Sequence, residues 1–349
     1  MTTPADTDTG PATATAADEE RRLLALEPRP PRHSARYGPH PSQVIDYYLP
    51  GAGRPPTARV TVLHGGFWRE AYDRTHLSPL ADALARTGMA VALAEYRRVG
   101  GGGGWPETFQ DAARVAEVAW PMPAGPVVGD TGGEAATGEI AAWQALEAEA
   151  EAVGVEHVVL GHSAGGQLAL WLAARPDRPA STGADPGPGR DAWSGGGGTR
   201  RVGASVSRAV AVAPVADLAV AHGLKLSDGA VAELLGGQDQ LPARLLLADP
   251  MALLPPRVPV TLLHGAADPD VPVELSRRYT EAARAASARA EVENSAARGI
   301  EAGTENTAWA DGGRVFLREL PGGGHYGPLI PGSDAFAVLL EALRPPYHP

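Results

Sequence analysis

One segment, residues 158–170, constrains the fold of this chain more than any other. Its sequence is VVLGHSAGGQLAL, in which a short apolar run with β-branched residues precedes an apolar run with helical spacing. Between the two runs stands the pattern Gly-x-Ser-x-Gly, with Ser163 at its centre. The pattern predicts a strand, a sharp turn with Ser163 at its tip, and a helix over residues 165–174.

Short apolar segments alternate with helical ones along most of the chain. Besides the strand that leads to Ser163, strands are predicted over residues 44–49, 59–63, 89–95, 208–212, 258–263 and 314–320. Helices are predicted over residues 77–86, 107–118, 140–153, 273–286 and 335–343. The alternation predicts the α/β class, with a mostly parallel central sheet of about 7–8 strands and helices on both faces.

The domain organisation follows from where this alternation begins and where it is interrupted. Residues 1–32 are rich in Thr, Ala, Pro and Asp without periodicity, and we expect a disordered tail there. We expect residues 33–349 to form a single large domain. Three stretches, near 121–138, 176–200 and 291–313, are rich in Gly and Pro or in polar residues, and we expect them to be surface insertions.

The composition argues against several classes of function. The formal net charge is −11, from 30 basic and 41 acidic residues, which argues against binding to nucleic acid. The absence of cysteine excludes disulfides, thiolate metal sites and a cysteine nucleophile. There is neither a run of about 18 apolar residues nor an N-terminal signal pattern, so we expect no membrane span and a cytoplasmic location.

A serine at the tip of a sharp turn is a candidate nucleophile. It needs a base that takes its proton and an acid that orients the base. When a serine follows a strand in this way, the acid and then the histidine come later in the chain. His325 follows the last predicted strand in the sequence GGGHYG, whose glycines allow a tight loop. We therefore expect His325 to be the base.

The acid is expected in the loop that follows the strand over residues 258–263. This loop reads HGAADPDVP over residues 264–272 and contains two candidates, Asp268 and Asp270. Asp268 fits the common spacing His-Gly-x-x-Asp-x-x-Val-Pro and is preferred, whereas Asp270 is also typical of a turn or a helix N-cap. Asp217, which follows an earlier strand, is a third candidate.

An oxyanion hole needs backbone N–H groups that face the developing negative charge. We expect one from Ala164, directly after the serine, and two from Gly66 and Phe67 in the sequence HGGFW at residues 64–68. The remaining aromatic residues near predicted strand ends are expected either to line a substrate pocket or to pack in the core: Trp68, Tyr96, Trp105 and Tyr326. We expect His64, His162 and His264 to have structural roles.

Together these motifs resemble those of the α/β-hydrolase-fold serine hydrolases. The resemblance is to the bacterial esterase and kynurenine-formamidase-like branch, and it covers roughly residues 42–345. It rests on HGGFW, on GHSAGG, on the loop over residues 264–272 and on Gly324-His325. Phe67 stands where formamidases commonly have Tyr. The resemblance implies an α/β-hydrolase fold and a catalytic triad of Ser163, Asp268 and His325.

The expected activity is hydrolysis of a small carboxylic ester through an acyl-enzyme. The alternatives are an aryl formamidase, a prolyl-oligopeptidase-like peptidase and a non-catalytic binding protein on the same fold. No cofactor or metal is expected, because the sequence has no His-Glu-x-x-His pattern and no Gly-x-Gly-x-x-Gly after a strand. The expected partner is a small-molecule ester or amide, bound by a monomer or a homodimer.

Overall fold

Eight strands form one sheet in the part of the chain that a computed structural model describes, residues 11–51, 55–122, 143–146, 148–152, 154–175, 206–298 and 314–344. The strands are β1 His33–Arg36, β2 Val44–Tyr48, β3 Arg59–Leu63, β4 Ala90–Ala94, β5 His157–His162, β6 Arg208–Val212, β7 Val260–Gly265 and β8 Val315–Leu320. Their order across the sheet is β1-β2-β4-β3-β5-β6-β7-β8. The two pairings of β2 are antiparallel and the other five are parallel.

The predicted strands are confirmed to within two residues at most of their ends. Every residue of β2 to β6 is buried, which is why these strands read as nearly continuous apolar runs. The first strand, β1, was not predicted. It lies at the sheet edge, where it pairs only with β2, and its sequence HSAR carries no apolar run.

Helices cover both faces of the sheet, as predicted. They are α1 Pro11–Leu24, α2 Ser78–Arg86, α3 Glu107–Val118, α4 at residues 143–146 and 148–152, α5 Ala164–Ala174, α6 Leu218–Gly223, α7 Ala230–Leu234, α8 Leu241–Ala248, α9 Glu274–Arg298 and α10 Asp334–Leu343. Leucines of α1, α2 and α10 pack on one face of the sheet. Residues of α3, α5 and α9 pack on the other.

The N-terminal segment differs from its prediction. We expected residues 1–32 to be disordered, but residues 11–24 form helix α1. Its Leu23 is 1% exposed and joins a core cluster with Leu329 and Leu339. Burial of one side of α1 against the domain explains why a segment of low overall hydrophobicity is helical.

One further segment differs from the sequence prediction. Helix α9 continues to Arg298, into the expected insertion near 291–313 and well beyond its predicted end at residue 286. Its last turns are rich in Ala, Arg and Glu, which favour helix without an apolar stripe. The expected insertions near 121–138 and 176–200 lie almost entirely outside the described residues. Within the described ranges, no helix is both long and apolar enough to cross a bilayer.

The parallel strands place the candidate residues on one edge of the sheet. Strands β3, β5, β7 and β8 run in the same direction, so their carboxyl ends meet at the same side. The chain leaves these strands as residues 64–68, Ser163, the loop over residues 266–272 and the loop over residues 321–326. Short helices α6 to α8, between β6 and β7, were not predicted and pack in the core cluster of α3 and α5.

Candidate active site

Ser163 sits on a strained turn between β5 and α5. Its backbone has φ +54° and ψ −113°, a region that side-chain-bearing residues rarely adopt, and the residue is 2% exposed. The Ser163 N–H donates to Val212 O at 2.9 Å, which holds the turn against the next strand. A Cβ at Gly165 would collide with the carbonyl oxygen of Leu63, so only glycine allows α5 to approach β3 this closely. The predicted strand, turn and helix are confirmed.

The loop after β8 brings His325 to this turn. The ring centroids of His325 and His162 are 4.6 Å apart, and His162 directly precedes Ser163. His162 Nε2 donates to the backbone oxygen of His325 at 3.2 Å. Burial and the neighbouring His325 lower the pKa of His162 well below its ordinary value, so His162 remains neutral and holds the loop.

Asp268 is hydrogen-bonded to His325. His325 Nδ1 lies 2.6 Å from Asp268 Oδ2, and both side chains are buried. The backbone N–H groups of Asp270 and Val271 donate to Asp268 Oδ1 at 2.8 and 2.9 Å. Burial alone raises the pKa of Asp268, but hydrogen bonds from His264 and His325 outweigh it and hold the pKa well below its ordinary value. The carboxylate is therefore ionised at neutral pH and fixes Nδ1 as the protonated nitrogen.

The other two candidate acids have different surroundings. Asp270 gives its backbone N–H to Asp268, as expected for a turn residue. Asp217 caps α6 by accepting from the N–H of Val220 at 2.9 Å, and Arg278 Nε lies 3.0 Å from its other carboxylate oxygen. Of the three candidates, Asp268 is thus the one bonded to His325.

His264, predicted to be structural, contacts the acid loop directly. It is fully buried, and its Nε2 faces Val271 O at 2.9 Å and Asp268 Oδ2 at 3.2 Å. Its Nδ1 lies 2.7 Å from Ser276 Oγ. With Nε2 as the donor, the ring stabilises both the loop and the negative charge of Asp268.

The loop at residues 64–68 lies beside Ser163. A Cβ built at Gly65 would be 3.1 Å from Ser163 Cβ. The next three residues, Gly66, Phe67 and Trp68, all have positive φ values, of 102°, 51° and 57°. These positive φ values bend the backbone sharply just after β3, where the loop lies next to Ala164 at the start of α5. The positive end of the α5 dipole adds to a site suited to negative charge.

A network of buried polar side chains supports the loop at residues 64–68. His64 Nδ1 lies 2.7 Å from Gly65 O, and its Nε2 lies 2.8 Å from Glu95 Oε1. Burial alone raises the pKa of Glu95, but His64, Arg98 and a hydrogen bond from the Arg74 N–H outweigh it and hold the pKa at about 2. Glu95 was not identified as a candidate from the sequence, because its role depends on its contact with His64, which forms only in the folded protein.

The four aromatic candidates separate into two groups. Trp68 is 1% exposed and donates from Nε1 to Ala164 O at 3.2 Å, and Tyr96 is fully buried with its hydroxyl donating to His64 O at 2.8 Å. These bonds attach both side chains to the backbone around Ser163, and their contact with substrate stays a prediction. Tyr326 packs edge-on against His325 at 4.8 Å between centroids, and Trp105 against Phe109 at 4.9 Å. Both are partly exposed and remain candidates for substrate contact.

Asp268, Asp270 and His325 offer possible metal-ligand atoms within 4.8 Å of one another. Two of these groups already share the 2.6 Å hydrogen bond, which a metal ion at His325 Nδ1 would have to displace. The arrangement suits proton transfer better than metal binding, and the absence of a metal requirement stays a prediction.

Comparison with solved structures identifies the fold. A truncated form of a carbohydrate esterase from gut microbiota is 16% identical, with a TM-score of 0.57 and coverage of 91% of this chain and 98% of that chain. Esterase B from Lactobacillus rhamnosis, inhibited by a C4-C4 SN3 tributyrin phosphonate, is 18% identical, with a TM-score of 0.58 and coverage of 95% and 90%. Thermogutta terrifontis esterase 2, phosphoramylated by tabun, is 19% identical, with a TM-score of 0.53 and coverage of 91% and 95%. The predicted α/β-hydrolase fold is confirmed. Neither the family models nor the curated protein sequences compared with this chain give a match.

Proposed function

We propose that this α/β-hydrolase-fold protein is a serine hydrolase that cleaves small carboxylic esters. The observation that carries the proposal is the buried Asp268–His325 hydrogen bond of 2.6 Å, next to the strained Ser163 turn. An ionised acid that fixes one nitrogen of a histidine leaves the other nitrogen free to accept a proton. Strain at a non-glycine residue persists only where the surrounding structure holds it, and it is frequent at active sites.

The proposed reaction proceeds through an acyl-enzyme. Ser163 Oγ attacks the ester carbonyl carbon while its proton passes to His325 Nε2, and Asp268 stabilises the resulting imidazolium. The backbone N–H groups of Gly66, Phe67 and Ala164 stabilise the oxyanion of the tetrahedral intermediate. His325 then protonates the departing alcohol oxygen as the carbon–oxygen bond breaks. A water molecule, deprotonated by His325, attacks the acyl-enzyme. The bond between the acyl carbon and Ser163 Oγ then breaks, His325 returns the proton to Ser163 Oγ, and the acid is released.

Two features support an ester as the substrate. The neighbours reported above bear esterase names, and one was inhibited by a phosphonate related to tributyrin, a triester of four-carbon acyl groups. Trp105 and Tyr326, the partly exposed candidates for substrate contact, are aromatic residues suited to an apolar acyl or alcohol group. The loop at residues 64–68, which resembles that of formamidases, keeps an aryl formamide as the second candidate substrate.

Hydrolysis of p-nitrophenyl acetate, p-nitrophenyl butyrate and N-formylkynurenine by wild type and Ser163→Ala tests the proposal. We expect the esters to be turned over by wild type, with labelling of Ser163 by a fluorophosphonate, and both to be lost in the variant. Equal turnover by the two proteins would contradict the nucleophile. A higher kcat/KM for N-formylkynurenine than for either ester would replace esterase by formamidase.

A further inference from the structure

A carboxylate from the N-terminal helix binds the backbone on both sides of His325. Glu19 in α1 is 7% exposed. Its Oε1 accepts from the N–H of Gly324 at 3.0 Å. Its Oε2 accepts from the N–H groups of Tyr326 at 3.1 Å and Gly327 at 2.9 Å. One side chain, about 300 residues earlier in the chain, thus joins the residues before and after His325.

These three bonds restrict the backbone where the histidine needs a fixed position. Hydrogen bonds to an ionised acceptor are roughly twice as strong as neutral ones. They hold the loop from the side of α1, while Asp268 and His162 contact His325 through its ring and its carbonyl oxygen. The loop that carries His325 is therefore bound at its amides, its carbonyl and its side chain.

The docking of α1 places Glu19 at this loop. Leu23, one turn later on the same side of the helix, is 1% exposed. It belongs to the core cluster that includes Leu329 and Ile330, directly after the loop. The apolar contact of Leu23 and the polar contacts of Glu19 act on the same stretch of chain, residues 324–330.

We infer that Glu19 is a positioning residue for His325. The inference rests on the proposed function, because it assigns Glu19 a role in proton transfer by His325. Glu19 touches neither the substrate nor the reacting atoms. Its carboxylate sets the position of the loop backbone, and through the backbone that of the imidazole. A misplacement of about 1 Å in a catalytic group can cost about 10²-fold in rate.

Glu19→Gln separates this role from simple stabilisation. Glutamine keeps the size of the side chain, but its single oxygen cannot accept from the donors on both sides, so an NH₂ group meets at least one backbone N–H. We expect kcat for p-nitrophenyl butyrate to fall by about 10- to 100-fold with KM little changed. The low-field proton resonance of His325 Nδ1–H in the ¹H NMR spectrum should shift or broaden.

Two variants serve as controls for this experiment. Glu20→Gln removes the neighbouring exposed carboxylate and should keep the wild-type kcat. Leu84→Ala removes a fully buried side chain of α2, in the same core cluster but in a different helix, and should lower Tm. Assayed well below its Tm, it should keep kcat and the resonance near the wild-type values. If Glu19→Gln does not fold, Glu19→Asp provides the same comparison, because its shorter carboxylate cannot span both sides.

The inference is overturned if the substituted Glu19 keeps the wild-type kcat and the wild-type resonance. It is also overturned if Leu84→Ala shows the same fall in kcat for a given fall in Tm as Glu19→Gln does. Failure of the proposed function looks different, because wild type would then turn over none of the three substrates or Ser163→Ala would turn them over equally well. The Nδ1–H resonance still reports on the position of His325 in that case.

Discussion

At the scale of single residues, four of the seven non-glycine residues with positive φ in the described part of the chain lie at or near the Ser163 turn. Phe67, Trp68 and Ser163 have positive φ values, and so does Ala213 in the segment next to the turn. Each such residue costs about 1–3 kcal/mol, which the surrounding structure must offset. The Trp68 indole N–H bonded to Ala164 O and the Ser163 N–H bonded to Val212 O are two of the contacts that do so.

Asp268→Asn is expected to abolish most activity. The amide offers no negative charge to His325 and favours the wrong ring tautomer, so we expect kcat for p-nitrophenyl butyrate to fall by about 10⁴-fold. Asp270→Asn should cost far less, because Asp270 contributes its backbone N–H rather than its side chain to Asp268. Comparable losses in the two variants would mean that the acid is not assigned correctly.

Glu95 is expected to make stability depend on acid pH. Its pKa in the folded protein is about 2, below its ordinary value of 4.5. A carboxyl group whose pKa is lowered in the folded protein stabilises the fold at pH values above its ordinary pKa. That contribution is lost as the pH falls from about 4.5 to about 2. The wild-type protein should therefore lose on the order of a few kcal/mol of unfolding free energy over this window.

Urea unfolding of wild type and Glu95→Gln between pH 2 and pH 6 measures this contribution. The variant should be less stable near pH 6, because it lacks the ionised partner of His64. The difference between the two proteins should narrow as the pH falls, since Glu95 becomes protonated in wild type. A constant difference across the range would show that Glu95 has an ordinary pKa.

The residues proposed for the catalytic triad are those that stand in local sequence motifs. Ser163, Asp268 and His325 each stand in a short pattern at the end of a predicted strand, and their order follows from the fold. Glu19 and Glu95 stand in no such pattern. Each contacts residues that lie far away in the chain. The partners of each carboxylate are therefore known only after the elements have packed.

At the scale of secondary-structure elements, whether the sequence predicts an element depends on how that element is buried. Strands buried on both faces carry apolar runs that predict them directly, as β3 and β6 show. Helix α1 and strand β1 are polar and gain their structure from contacts at the edge of the domain. The short helices α6 to α8 have too few turns for a reliable periodicity.

Arg69 connects the loop at residues 64–68 to the segment of α6 to α8. Its guanidinium lies 2.9 and 3.1 Å from the carboxylate oxygens of Glu233 and donates to Ser227 O at 2.8 Å. Arg69→Ala should lower kcat/KM for p-nitrophenyl butyrate, because the loop that we propose supplies the Gly66 and Phe67 N–H groups to the oxyanion loses this attachment. The loss in stability should be small, since partly exposed ion pairs contribute about 0–1 kcal/mol.

Arg277→Ala is the matched control for Arg69→Ala. Arg277 pairs with Glu319 at 2.6 Å, and both side chains are partly exposed, but the pair joins α9 to β8 and does not involve the loop at residues 64–68. We expect similar Tm values for the two variants and a lower kcat/KM for Arg69→Ala alone. Equal kcat/KM values would remove Arg69 from the support of the loop.

At the scale of the whole molecule, the two faces of the sheet differ in their aromatic content. All five tryptophans in the described residues belong to or pack against the cluster that contains α3 and α5: Trp68, Trp105, Trp120, Trp143 and Trp171. Among the described residues, the cluster on the opposite face, with α2 and α10, consists mainly of leucine, valine and alanine. The fluorescence of these five tryptophans therefore reports on one face, whereas far-UV circular dichroism reports on both.

This asymmetry allows a test of the predicted single domain. Leu339 in α10 is fully buried on the face opposite the described tryptophans. Leu339→Ala should cost about 2–5 kcal/mol, and in a single domain that loss is shared by both faces through the common sheet. Thermal unfolding followed by tryptophan fluorescence and by circular dichroism should shift to the same lower Tm. Phe316→Ala, at a side chain that is 52% exposed on β8, should leave both transitions nearly unchanged. A fluorescence transition that keeps the wild-type Tm in Leu339→Ala would mean that the two faces unfold independently.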